Sequence, residues 1–157
     1  MAKKAKVKSW NDFFKADPKN IPFSDVDVID NEGRTMLMGA ASTSDADIIR
    51  RIIDAGADVN SICDDGDTAL QLAACFNKNS AIVELLLKAG ADTEARDNDY
   101  GWTVLMWAAG SNHENSAVVK ALLKAGADVD ASSYSGDTDV HRLAEQNGYS
   151  EILLKSL

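Results

Sequence analysis

Apolar positions along this chain fall into two alternating stripes, one narrow and one wide, separated by polar turns. In "GWTVLMWAA" from Gly101, Leu105, Ala108 and Ala109 stand at i, i+3 and i+4, which predicts one face of a short helix. Paired alanines keep that face thin, so a second helix can approach closely. In "VVKALLKAGADVD" from Val118, the residues Val118, Val119, Leu122 and Leu123 form a wider stripe with charges opposite, predicting a longer second helix. Thr103 is suited to capping the first helix. Gly101 suits a turn that needs positive φ. Gly126 stands where a glycine just past a helix end belongs, and the "AD" after it opens an extended arm.

The same unit recurs. "GRTMLMGAA" from Gly33, "GDTALQLAA" from Gly66, "GWTVLMWAA" and "GDTDVHRLA" from Gly136 place their glycines 33, 35 and 35 residues apart. The second stripe follows as "IIRRIIDAGADVN" from Ile48, "IVELLLKAGADTE" from Ile82 and the Val118 copy, and the last copy ends in "EILLKSL". Each unit reads as a finger-like turn, a short helix and a longer helix. One such unit cannot bury its own apolar face, so neighbours must stack into an array.

The combined motif, G-x-T-x-L-x-x-A-A followed by a I/V-rich helix and G-A-D-V-N, resembles the ankyrin repeat family over residues 27–157. The resemblance implies an all-α fold, an ankyrin-type helical solenoid with β-turn fingers. We divide the chain into a basic tail at 1–8, an N-terminal capping segment at 9–29 and an array at 30–157. Repeats are placed at about 30–63, 64–96, 97–131 and 132–157. Ser9–Asp12 has the form of a capping box, and Trp10, Phe13 and Phe14 at i, i+3 and i+4 predict a helix over 9–16, ended by Pro18, that covers the open edge of the first repeat; the alternative is that these aromatics bind a separate peptide or helix. The family's usual T-P-L-H is altered: its Pro position holds Met36, Ala69, Val104 and Asp139, and its His position holds Met38, Gln71 and Met106. The second departure bears on the family's usual His–Thr hydrogen bonds. In the fourth copy Asp139 and Arg142 replace apolar positions, which suits a terminal repeat facing water.

The resemblance also implies a function, binding of another protein on a concave face made by the fingers and first helices. The residues here that match that face are Arg34, Met38, Asp67, Gln71, Phe76, Tyr100, Trp102, Met106, Trp107 and Tyr134. Tyrosine and tryptophan are efficient interface anchors, because each buries much area with few rotors to freeze. Trp107 aligns with Gly39, Leu72 and Arg142, where packing between repeats competes with partner contact. Trp102 aligns with the charged Arg34, Asp67 and Asp137, so it is the better candidate for a partner. Phe76 either covers the end of its helix or meets the partner. Asp64, Asp65, Asp67, Asp97 and Asp99 are expected as an acidic rim.

Charge narrows the partner class. The chain has a net charge of −9; the four lysines within residues 1–8 leave the rest with 12 basic against 25 acidic side chains, net −13. Such a body repels phosphates and anionic lipid and attracts a partner with a basic surface, so neither nucleic acid nor membrane is expected. Blocking a basic site on an enzyme or nucleic-acid-binding protein, as an acidic inhibitor would, is the alternative. With 45% apolar residues the array can bury a core. Cys63 and Cys75 have neither a CxxC spacing nor a nearby histidine pair, which argues for reduced thiols in a cytoplasmic protein. The start of the chain lacks the apolar stretch of a secretory signal, and its lysines read as a solvated tail, with "KKAK" as a loose nuclear-localisation pattern the alternative.

No catalytic, metal or cofactor site is expected. His113 and His141 lack a motif-spaced nucleophile. "DNDYG" from Asp97 resembles a calcium loop, but the glycine stands at position five and position twelve is Ala108, where an EF-hand needs glycine at six and glutamate at twelve. A monomer is the default.

Overall fold

A computed structural model describes residues 7–16, 26–43, 45–77, 79–111 and 116–155. His113, Pro18 and most of the basic tail lie outside them. The described helices are α1 (Trp10–Ala16), α2 (Met36–Thr43), α3 (Ala46–Asp54), α4 (Ala69–Phe76), α5 (Ser80–Lys88), α6 (Val104–Gly110), α7 (Ser116–Lys124), α8 (Val140–Asn147) and α9 (Ser150–Leu154). They pair as α2/α3, α4/α5, α6/α7 and α8/α9. The first helices stack in the order α1, α2, α4, α6, α8, and the second helices in the order α3, α5, α7, α9.

The paired alanines do what their size allows. Ala40, Ala41, Ala73, Ala74, Ala108 and Ala109 are all buried between stacked first helices. Ile49, Ile52, Val83, Leu86, Val119 and Leu122 bury the second layer. Each second helix of the first three repeats closes in a Schellman arrangement: Ala57, Ala91 and Ala127 donate back to Ile52, Leu86 and Leu122 at 3.3, 3.0 and 3.1 Å. The intervening Gly56, Gly90 and Gly126 take φ of 93°, 90° and 89°, as that turn requires.

Thr68 and Thr103 cap α4 and α6, each accepting from the amide three residues on. In the fourth unit the cap moves. Asp139, not Thr138, accepts the Arg142 amide at 2.8 Å, and the Ser133 amide donates to the Thr138 carbonyl. The first two fingers close four residues apart, Asp30 to Arg34 and Cys63 to Asp67, whereas the third closes five apart, Asp97 to Trp102. The fourth finger likewise closes five apart, its extra residue falling after the glycine. Asp139 is therefore a helix cap and not a polar intruder in an apolar stripe.

Successive fingers are joined by backbone hydrogen bonds, Asn98 to Asp65 at 3.0 Å and Tyr134 to Tyr100 at 3.0 Å. The extended arms are joined by side chains. Asn60 donates to the Gly90 carbonyl at 3.0 Å and accepts from the Asp92 amide at 2.9 Å, while Glu94 accepts from the Asp128 amide at 3.0 Å.

At the N-terminal edge α1 lies on α2, with Trp10 and Phe14 buried. The Trp10 indole donates to the Val28 carbonyl at 2.9 Å, and its backbone amide donates to Asp30 at 3.0 Å. Gly39 makes room for it: a Cβ there would stand 2.3 Å from Trp10 Cβ.

Candidate functional site

The ten residues expected on the finger and first-helix face do not share one environment. Met38 and Met106 are 0% exposed and Gln71 is 2% exposed, so all three are closed to a partner. Their positions face the neighbouring repeat because the first-helix stack is tight on both sides. Gln71 is a structural bridge. Its Oε1 accepts from the Thr68 amide and hydroxyl at 2.8 and 3.1 Å, and its amide nitrogen donates to the Ala95 and Trp102 carbonyls at 3.4 and 3.3 Å. It ties a helix cap to the next finger. Met38 offers only sulfur to the Thr35 amide, at 3.4 Å. His141 bonds Asp130 at 3.3 Å on the surface.

Phe76, Tyr100 and Tyr134 are open, at 61%, 59% and 66% exposure. Trp102 and Trp107 are each half-buried and touch, with ring centroids 4.9 Å apart; Tyr100 stands 6.0 Å from Trp102. Phe76 and Trp107 line one small pocket. The result is an aromatic row, Tyr100, Trp102 and Trp107, with Phe76 at the end of α4 facing Trp107 across the small pocket. The division of labour suggested by alignment is not visible in burial, since both tryptophans have one covered side. Trp102 lies over Gly110, where a Cβ would come within 3.2 Å of its ring. Tyr134 stacks on Gly101 of the preceding finger, where a Cβ would meet its ring at 2.4 Å.

Asp97 does not belong to the acidic rim. It is 3% exposed and accepts from the amides of Tyr100, Gly101 and Trp102 at 2.7, 3.2 and 3.0 Å, and from the Trp107 indole at 3.0 Å. One carboxylate thus closes the third finger and holds the Trp107 ring. Asp30 does the same in the first finger for Glu32 and Arg34 and reaches Trp10. Asp64, Asp65 and Asp99 remain exposed. Arg34 is mostly covered and pairs with Glu32 at 2.6 Å.

Asp67 is half-buried beside this row. Burial pushes its carboxyl above the ordinary value of 3.8; Asp97, Asp65 and Asp99 add to the rise, and Arg34 opposes it. A carboxyl raised on folding weakens the folded state where it is ionised, and that penalty disappears as pH falls through the folded pKa. Asp67→Asn should therefore raise stability at neutral pH, with the gain shrinking toward zero as pH drops below 3.8. Urea unfolding across that range checks this, and a gain that grew in acid would contradict it. Burial, and then Asp67, push the Cys75 thiol up as well, which leaves it a poor nucleophile.

Ligand atoms of Cys63, Asp65 and Asp67 lie within 4.8 Å of one another. One thiol and two carboxylates do not match the cysteine and histidine sets of a structural zinc site. Among the described residues no helix is long and apolar enough to cross a membrane.

Stacked helix pairs joined by a ladder of turn fingers define a repeat solenoid, and comparison with known proteins gives its family. A family model described as "Ankyrin repeats (3 copies)" matches residues 16–97 and 78–155. The chain belongs to the ankyrin repeat family, whose repeats generally mediate protein–protein interaction and are typically not catalytic. It is 40% identical over 75 residues to the potassium channel AKT1 of Oryza sativa subsp. japonica, covering 48% of this chain and 8% of that protein. It is 39% identical over 75 residues to neurogenic locus notch homolog protein 2 of Homo sapiens, covering 48% and 3%. It is 35% identical over 77 residues to the tyrosine-protein kinase HTK16 of Hydra vulgaris, covering 49% and 10%. The chain thus spans a tenth or less of the length of these relatives.

Proposed function

We propose that this protein binds a partner protein with a basic surface on a concave face formed by its fingers and first helices. The observation that carries this reading is the aromatic row Phe76, Trp107, Trp102 and Tyr100, its ends exposed and its two tryptophans half-exposed, flanked by Asp65, Asp67 and Asp99. Large rings with one side fixed lose little freedom on binding, and surrounding carboxylates steer a cationic surface toward them. The backbone ladder between fingers keeps the face pre-formed. A monomer in the cytoplasm would present it directly.

Capture from a native lysate with wild type and a Trp102→Ala/Tyr100→Ala variant tests the face. Losing two anchors should cost about 2 kcal/mol each, enough to remove the partner from the eluate. Equal recovery by both proteins would exclude this face. The second reading, an acidic inhibitor covering a basic site on an enzyme or nucleic-acid-binding protein, is favoured by the net charge of −9. It requires affinity to fall steeply with added salt, whereas contact carried by the rings alone would change little.

A further inference from the structure

The pocket between α4 and α6 has about 60 Å³ of space and is lined by Asp67, Gln71, Leu72, Cys75, Phe76 and Trp107. That admits one side-chain head group and no larger element. We infer that this pocket seats a single arginine side chain of the partner, an inference that rests on the binding face proposed above.

Four observations converge on a planar cation. Among the described residues the Asp67 carboxylate has no hydrogen-bond or ion-pair partner, and Arg34, the cation whose charge acts on it, is engaged by Glu32 at 2.6 Å. Among the described residues carboxylates dominate the field at Asp67, since Asp97, Asp65 and Asp99 act on it against Arg34. An incoming cation relieves that unbalanced charge in a partly desolvated place, where such contacts are strongest. Phe76 and Trp107 supply π-surface on the wall, and Trp107 is already fixed by its bond to Asp97. The remaining lining does not compete: the Gln71 amide is consumed by Thr68, Ala95 and Trp102, and Cys75 stays a neutral thiol. A guanidinium can stack on a ring while its edge meets a carboxylate in a fork, which an ammonium cannot do.

The test is an NMR titration of the 15N-labelled full chain with N-acetyl-arginine methylamide, in EDTA so that no metal occupies Asp67. The lysine analogue and the citrulline analogue, which keeps the shape and lacks the charge, serve as comparisons. The Trp107 indole N–H and the Asp67 and Cys75 amides should shift saturably with arginine, about tenfold more weakly with lysine, and not with citrulline. Asp67→Asn and Phe76→Ala should each weaken the arginine response about tenfold, with thermal unfolding confirming that both variants are folded. An equal response to citrulline, or an arginine affinity unchanged by Asp67→Asn, overturns the assignment. If capture depends on Trp102 and Tyr100 yet the wild type gives no arginine response, the pocket assignment fails and the binding face stands. If arginine binds as described but capture ignores those two rings, the pocket stands and the wider face fails.

Discussion

Gly39→Ala is expected to destabilise the protein by about 2 kcal/mol, although glycine to alanine inside a helix ordinarily stabilises by about 1 kcal/mol. The reversal comes from Trp10. The new methyl would stand 2.3 Å from Trp10 Cβ and 3.0 Å from its backbone carbon, so the conflict is with the main chain of α1 and not with a movable side-chain tip. Helix α1 must lift, exposing the buried Trp10 and Phe14 and breaking the bonds from Trp10 to Val28 and Asp30. Tryptophan emission and urea unfolding report both effects. In a chain lacking residues 1–16 the same substitution should become neutral or stabilising. Destabilisation of equal size in that shortened chain would show that the cost lies inside α2 and not at its contact with α1.

Asp97→Ala is expected to cost about 3 kcal/mol or more, an unusual loss for a residue in a surface turn. Three finger amides and the Trp107 indole all donate to this one buried carboxylate. Alanine leaves four donors without their acceptor, the Gly101 amide in a fully buried place and the other three in partly buried ones. The amide of Asp97→Asn keeps one acceptor oxygen but turns a second donor toward Trp102 and Trp107, so it should recover only part of the loss. Urea denaturation measures the cost, and the chemical shift of the Trp107 indole N–H shows release of the ring. If Asp97→Ala matched wild type in both, the finger would have to be held by its backbone alone. Weaker partner capture by Asp97→Asn, with α6 still folded, would separate the holding of Trp107 from the folding of the array.

The two variants bracket what could be read without coordinates. The finger, the two stripes and the glycine past each second helix follow from rules that act within about ten residues. Gly33, Gly56 and their counterparts adopt positive φ because the local turn demands it. Even the aromatic content of the candidate face was legible, and Phe76, Tyr100 and Tyr134 do stand open. The roles of Asp97, Gln71 and Gly39 were not. Nothing local distinguishes Asp97, which is buried under four donors, from Asp99, which is exposed two residues later. The difference is made by which side of a five-residue closure each occupies. Met38 and Met106 match a surface position of the family pattern, yet the thin alanine faces draw the first helices so close that both are sealed. Asp139 displaced Thr138 as the cap because one residue was added after the finger glycine, a shift that a motif aligned on Gly-x-Thr absorbs silently.

The sequence alone determined the repeat, its period and the all-α solenoid, since backbone conformation and helical periodicity are set by near neighbours. Tertiary structure alone decided which aspartate is a strut and which is a rim, and which gap admits Trp10. It also decided that Asp67 lines a pocket with two rings and, among the described residues, has no side-chain partner. Those outcomes depend on groups from different repeats meeting at distances of a few ångströms, where burial and the number of converging donors outweigh the residue's identity.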